Sequence, residues 1–189
     1  MFRALLDTCV LFKPLLCDTL LTVAEEGLFQ PLWSQDILDE LRRNLLEHRV
    51  TQTGVDYRIG QMAKHFPGAI VTGHRSLISA MTNDLKDRHV LAAAVRGRAD
   101  VIVTQNIRDF PSSSTAPYDI EVIGQDSFLL DQRDLDRDAV YRALDRQVSR
   151  YRREPRTVGD LLIALGRPGN GCPGFAKSCH ADDTGGLTP

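Results

Sequence analysis

Four carboxylates stand where they could do chemistry: Asp7, Glu40, Asp87 and Asp109. Asp7 ends a short apolar run, Phe2 to Leu6, which reads as a buried first strand. Asp109 lies in the loop after the β-branched run Val101-Ile102-Val103-Thr104. Asp87 falls in the first turn of a predicted helix and Glu40 lies on another. In doubly wound sheets, ligands bind beyond the carboxyl ends of the strands, so Asp7, Asp87 and Asp109 converge if those strands are neighbours. Each acid also has an ordinary reading: a turn for Asp7 and for Asp109 before Phe110-Pro111, a solvated helix face for Glu40, a helix-dipole partner for Asp87. Their joint placement carries the case. Packed carboxylates raise one another's pKa, and such a cluster is ionised only with a cation in it. Mg²⁺ and Mn²⁺ prefer hard oxygen ligands and keep several waters. Two such ions about 3.5–4 Å apart would clamp the attacking and leaving oxygens of a phosphodiester.

The elements that must position these acids follow from periodicity and punctuation. Asp18-Thr19 opens a helical segment stopped at Gly27, and Leu28 to Trp33 is a connection or a strand. Ser34 caps a helix whose apolar positions Ile37, Leu38, Leu41 and Leu45 follow the 3.6 period. A further helix is predicted from Asp56 to Phe66, ended by Pro67-Gly68, then a strand from Ala69 to Thr72. Thr82 or Asn83 can cap a helix from about Asp84 to Arg96, with Gly97 as its stop. Val101–Thr104 reads as a central strand and Ile120 to Ile123 as another. Strands alternating with helices predict a parallel sheet covered on both faces, a three-layer α/β/α fold. Asp126 to Tyr151 is charge-rich and helical, and Val158 to Leu165 forms a short helix. From Pro168 the chain is Gly, Pro and polar, and is expected to be mobile. The expected organisation is a domain over 1–130, a helical extension over 131–167 and a tail over 168–189.

Composition excludes little. The chain has 189 residues and a formal net charge of −2, so no global basic field advertises a nucleic acid. No apolar run reaches the roughly 20 residues that span a bilayer, and the opening Met-Phe-Arg-Ala-Leu-Leu-Asp is too short for a signal peptide. A cytoplasmic protein with no membrane contact is the expectation. Cys9 and Cys17 sit in apolar contexts and read as small hydrophobes. Cys172, Cys179 and His180 do not read as a zinc site, because three such ligands without a CxxC pair seldom close one.

Four stretches, taken in order, resemble the PIN domain, and in particular VapC-like toxins of type II toxin–antitoxin systems. They are Leu5-Leu6-Asp7-Thr8-Cys9-Val10-Leu11, Trp33-Ser34-Gln35-Asp36-Ile37-Leu38-Asp39-Glu40-Leu41, Asp87-Arg88-His89-Val90-Leu91-Ala92-Ala93-Ala94, and Val103-Thr104-Gln105-Asn106-Ile107-Arg108-Asp109-Phe110-Pro111. The resemblance covers roughly residues 1–130. It implies that Asp7, Glu40, Asp87 and Asp109 are catalytic, metal-binding acids that use Mg²⁺ or Mn²⁺ to hydrolyse RNA. It also implies supporting roles for Asn106 and for Thr104, whose hydroxyl would steady Asp7. Asp84, a turn before Asp87, would hold a metal-bound water or only complement the helix dipole. The implied partners are an RNA substrate and a cognate antitoxin; homodimerisation stays open. A housekeeping RNA-processing nuclease and a binding module without catalysis are the alternatives. His89 reads as structural, Ser34 as a cap, and Lys13, Arg42, Arg43 and Arg88 as phosphate contacts or solvated faces. Neither the RNA that is cut nor the choice between Mg²⁺ and Mn²⁺ is legible.

Overall fold

The structure is a computed structural model and describes residues 2–185, with side chains as far as 181. The element order is β1 (Arg3–Leu6), α1 (Thr8–Phe12), α2 (Pro14–Glu25), β2 (Gln30–Ser34), α3 (Gln35–Glu47), α4 (Gln52–His65), β3 (Ile70–Val71), α5 (Arg88–Gly97), β4 (Val101–Val103), α6 (Ser112–Thr115), β5 (Glu121–Ile123), α7 (Gln125–Leu135), α8 (Arg137–Ser149), α9 (Val158–Gly166) and α10 (Pro173–Gly185). Short 3₁₀ segments cover His74–Ala80, Ile107–Asp109 and Ala116–Tyr118. A five-stranded parallel sheet, ordered β3-β2-β1-β4-β5, is flanked by helices in the three-layer α/β arrangement. Among the described residues no helix is long and apolar enough to cross a membrane.

The sheet is central because its inner strands have nothing polar to show. Ala4, Leu5 and Leu6 of β1 and Ile102 and Val103 of β4 are fully buried, as parallel strands covered on both faces require. The two are neighbours, with Leu5 opposite Ile102 and Leu6 opposite Val103. β1, and not the Val101–Val103 strand, is the middle of the sheet. Strand order runs outward from β1 in both directions, so the crevice between β1 and β4 is the topological switch point where ligands bind.

Ser34 caps α3 as expected, its Oγ accepting from Ile37 N at 3.3 Å. Three other expectations shift. The predicted Asp84–Arg96 helix begins only at Arg88, because Asp84 N donates to the Asp109 carbonyl (3.1 Å) and residues 84–87 form a turn. Gly97 is the last residue of α5, and Arg98 takes the left-handed conformation at φ 51°. A Cβ on Gly97 would stand 2.9 Å from Val71 Cγ2 and 3.0 Å from Leu32 Cδ1, so close packing and not a left-handed stop explains this glycine.

The third shift concerns the segments outside the sheet. Contacts group the residues up to Phe12 with Phe29–Ile123, and Lys13–Leu28 with the residues from Gly124 onward. The second unit thus begins at Gly124 and takes in α2, unlike the continuous division near residue 130. Within it, Gln147 of α8 is 1% exposed and donates to the Leu15 carbonyl (3.2 Å) and to Tyr151 Oη (2.8 Å), while its Oε1 accepts from Thr19 Oγ1 (2.9 Å). Arg142 reaches Glu26 and Arg150 reaches Glu25, again joining α8 to α2.

The stretch expected to be mobile carries α10. Cys172, Phe175, Ala176 and Cys179 recur at i, i+3, i+4 and i+7 and are all buried, and Asp126 of α7 accepts from Gly174 N and Phe175 N at its start. The end of the expected tail, residues 186–189, lies outside the described residues.

Replacing Gln147 by Leu leaves the Leu15 carbonyl and Thr19 hydroxyl with fewer partners in a dry setting. Chemical denaturation is expected to show a loss of about 1–3 kcal/mol. An unchanged denaturation midpoint would contradict the role assigned to this side chain.

Candidate metal centre at the sheet edge

Asp7 leaves β1 at the switch point and is held from three sides. Thr8 N donates to its Oδ1 (2.6 Å), and Thr104 Oγ1, at the exit of β4, donates to its Oδ2 (2.6 Å). The Cys9 thiol donates to the same Oδ2 at 3.3 Å. A carboxylate offers about four lone-pair directions, and three are used. Asp7 is only 3% exposed, and burial, opposed by these three bonds and assisted by the Glu40 charge, pushes its pKa up. Thr104 Oγ1 also accepts from Asn106 N at 3.0 Å, so one hydroxyl fixes both Asp7 and the start of the next loop.

Thr8 ties two of the acids together. Its amide serves Asp7, and its hydroxyl donates to Glu40 Oε2 at 3.1 Å. His89 approaches Glu40 from the other side. With Nδ1 donating to the Lys86 carbonyl (2.9 Å), Nε2 stands 3.5 Å from Glu40 Oε2. That is ion-pair range, and Nε2 makes no bond of good geometry. Burial disfavours the His89 imidazolium, but Glu40 and the Lys86 carbonyl outweigh it and raise the His89 pKa. His89 in turn is the main reason the Glu40 pKa is lowered, against burial and with help from Thr8.

Asp87 is the N-terminal flanking residue of α5 and not part of its first turn, and its side chain caps nothing. Burial first, then the charges of Asp7, Asp109 and Glu40, push its pKa up to about 7, with His89 opposing. The four acids singled out in the sequence are therefore gathered within electrostatic reach of one another. Glu40, Asp84, Asp87, Asn106 and Asp109 line one cleft of about 840 Å³, whereas Asp7 and Thr104 are buried and do not line it. Asp84 accepts from Lys86 N through its Oδ1 (3.0 Å) and lies on a turn, not one helical turn before Asp87.

The cleft also takes in residues beyond the expected acids and their supports. Asp36 and Asp39 precede Glu40 on α3 at i−4 and i−1, and Arg43 follows at i+3, so the stripe opposite Ile37, Leu38, Leu41 and Leu45 all faces the cleft. That stripe was legible from the helix period. Arg75 was not, because it lies with buried His74 on a 3₁₀ segment without periodicity. Asp36 accepts from Arg75 Nε and Nη2 and from His74 Nε2 (2.6 Å); the Arg75 bonds above all, against burial, hold its carboxyl down at about 2. Cys9 is not merely a small hydrophobe. It faces Asp7, and burial followed by the Asp7 charge pushes its thiol up to about 12, so it serves as a donor and not a nucleophile.

Among the described residues no three His, Cys, Asp or Glu side chains close on one point as a ready-made ligand set. The donors are nonetheless hard oxygens around an open, polar cleft, and burial followed by its neighbours' charges raises the pKa of one of them, Asp87, to about 7. Such a set fits a hard divalent ion that keeps much of its water and takes only one or two carboxylates directly. It does not fit zinc, which prefers closed nitrogen and sulfur ligation.

The chain belongs to the PIN-domain family. The PIN domain model matches residues 3–108, more than half of its length, and the model described as the VapC50 C-terminal domain matches residues 125–181. The chain is 49% identical over 98 residues to a protein of Mycobacterium tuberculosis named Putative ribonuclease VapC50. That match covers 52% of this chain and 58% of the relative. No solved structure matches the chain at a significant level.

The raised Asp87 and His89 values fix the sign of a pH effect. Both groups bind more protons when folded than when unfolded, Asp87 between about pH 4 and 7 and His89 around and above 6.5. In EDTA the folded protein should therefore gain stability as pH falls from 8 to 5. Asp87→Asn should flatten this slope, and thermal melts at each pH read it. A variant with the wild-type slope would contradict the crowding of charge around Asp87.

Proposed function

We propose that the chain is a divalent-metal-dependent endoribonuclease acting in the cytoplasm, the toxin of a toxin–antitoxin pair. One observation carries the reading: Asp87 sits in an open cleft at the switch point, its pKa pushed up to about 7 by burial and by Asp7, Asp109 and Glu40. That is the setting expected of acids built to share a cation. Membership of the PIN family, the C-terminal match and the printed name of the relative support the same reading.

Glu40, Asp87 and Asp109 would hold Mg²⁺ or Mn²⁺ at the cleft, one or two of them directly and the rest through the ion's waters, with Asp7, buried behind them, completing the set through its remaining lone pair. When bound, such an ion supplies Lewis-acid activation of water and of phosphodiester oxygens. Thr8, Thr104 and Cys9 keep Asp7 oriented, and His89 holds Glu40 against the repulsion of the other acids. Asn106 and Asp84 line the same cleft and would orient the incoming water and ribose-phosphate. The antitoxin would act by covering the acidic groove.

Purified protein should cleave RNA in Mn²⁺ and not in EDTA. Asp87→Asn should lower the rate by on the order of 100-fold or more by removing a direct ligand. Thr104→Val, which leaves every candidate ligand in place but frees Asp7, should cost about 10–100-fold. Undiminished turnover in Asp87→Asn would remove the mechanism, and RNA left intact by the wild type in Mn²⁺ would remove the activity.

A further inference from the structure

The cleft carries cations that make no ion pair with its carboxylates, although the Arg43 charge helps to hold the Glu40 carboxyl down. Six of its lining side chains are acids, and three are permanently charged bases: Arg43, Arg75 and Lys86. Arg75 is committed, its guanidinium gripping both oxygens of Asp36. Arg43 and Lys86 are exposed, and among the described residues neither has a carboxylate within ion-pair distance. Leaving two cations unpaired beside so many acids is not what mutual neutralisation would produce.

Their backbones are nevertheless fixed. Arg43 stands on α3 one turn beyond Glu40, and the buried face of that helix sets its direction. Lys86 lies in the turn between Asp84 and Asp87. Its N–H is bound by Asp84 and its carbonyl by His89, so the side chain is free but its root is not. Arg43 thus follows Glu40, and Lys86 precedes Asp87, each next to an acid that would hold the ion. Two other basic side chains near these acids are already committed. Arg42 is bonded to Asp56 on α4, and the Arg88 guanidinium donates to the Asn83 carbonyl.

We propose that Arg43 and Lys86 bind the backbone phosphates on either side of the scissile one. A strand carrying a negative charge at every step must enter a cleft of net negative charge, and the ion at its centre compensates only the reacting phosphate. Arg43 and Lys86 compensate the neighbours. They govern how tightly the strand is held and not the chemical step. The inference rests on the nuclease reading.

The test uses the full chain, a single-stranded RNA that the wild type cleaves, fixed Mn²⁺ and a series of NaCl concentrations. Arg43→Gln and Lys86→Gln should each raise KM about tenfold, as expected for a lost charge-assisted hydrogen bond, and leave kcat within about twofold. The slope of log KM against log salt should fall by about 0.7 in each, one phosphate contact on a single strand. Arg43→Lys should restore that slope. Arg42→Gln, which removes the same charge from the same helix away from the cleft, should change neither quantity. Wild-type KM and salt slope in both cleft variants would overturn the proposal while leaving the nuclease reading intact. So would an equal effect from Arg42→Gln. A wild type that cleaves no RNA removes the nuclease reading, and the proposal with it.

Discussion

Like charges brought into a small volume must be kept there by something other than one another. At this sheet edge the restraint is the neutral hydrogen bonding around Asp7, above all the Thr104 hydroxyl across the crevice from β4 and the Thr8 amide. Neither donor carries charge, so they fix the carboxylate without cancelling the field that a cation would answer. Thr8 extends the restraint to Glu40, and His89 closes it from α5. The electrostatic cost then falls on Asp87, whose carboxyl is pushed up by burial first and by three neighbouring carboxylates after it, and which among the described residues has no side-chain donor to offset them.

Sheet topology makes this possible. Because strand order runs outward from β1 on both sides, β1 and β4 end side by side. Asp7 and Thr104 meet without any insertion or distortion. The turn at 84–87 and the 3₁₀ segment at Ile107–Asp109 are then tied by the bond from Asp84 N to the Asp109 carbonyl, which places two further acids at the same mouth.

What could be read from the sequence follows how local the cause is. The cap at Ser34, the β-branched run at Val101–Val103 and the apolar stripe of α3 are decided by residues close in the chain, and the structure has them where periodicity put them. The start of α5 is decided by Asp109, far along the chain, and so Thr82 and Asn83 misled as caps. The place of α2 depends on Gln147 reaching Leu15, a contact that no window along the chain contains. α10 was legible in principle. Its stripe of Cys172, Phe175, Ala176 and Cys179 has helical spacing, but small side chains amid Gly and Pro read as too little to pack. At the site, the acids were found as a set because strand ends and family motifs marked them. The roles of the groups that manage these charges, Thr8 and Cys9 beside Asp7 and His89 beside Glu40, depend on contacts across the fold and are not announced by residue type or spacing.

The proposed nuclease requires that the crowded carboxylates of the cleft hold a cation. The most direct measurement is an anomalous difference map from a crystal of the full chain soaked in Mn²⁺. A peak among Glu40, Asp87 and Asp109, within reach of Asp7, is the predicted result. An empty cleft at saturating Mn²⁺, or a peak on carboxylates elsewhere in the protein, would contradict it.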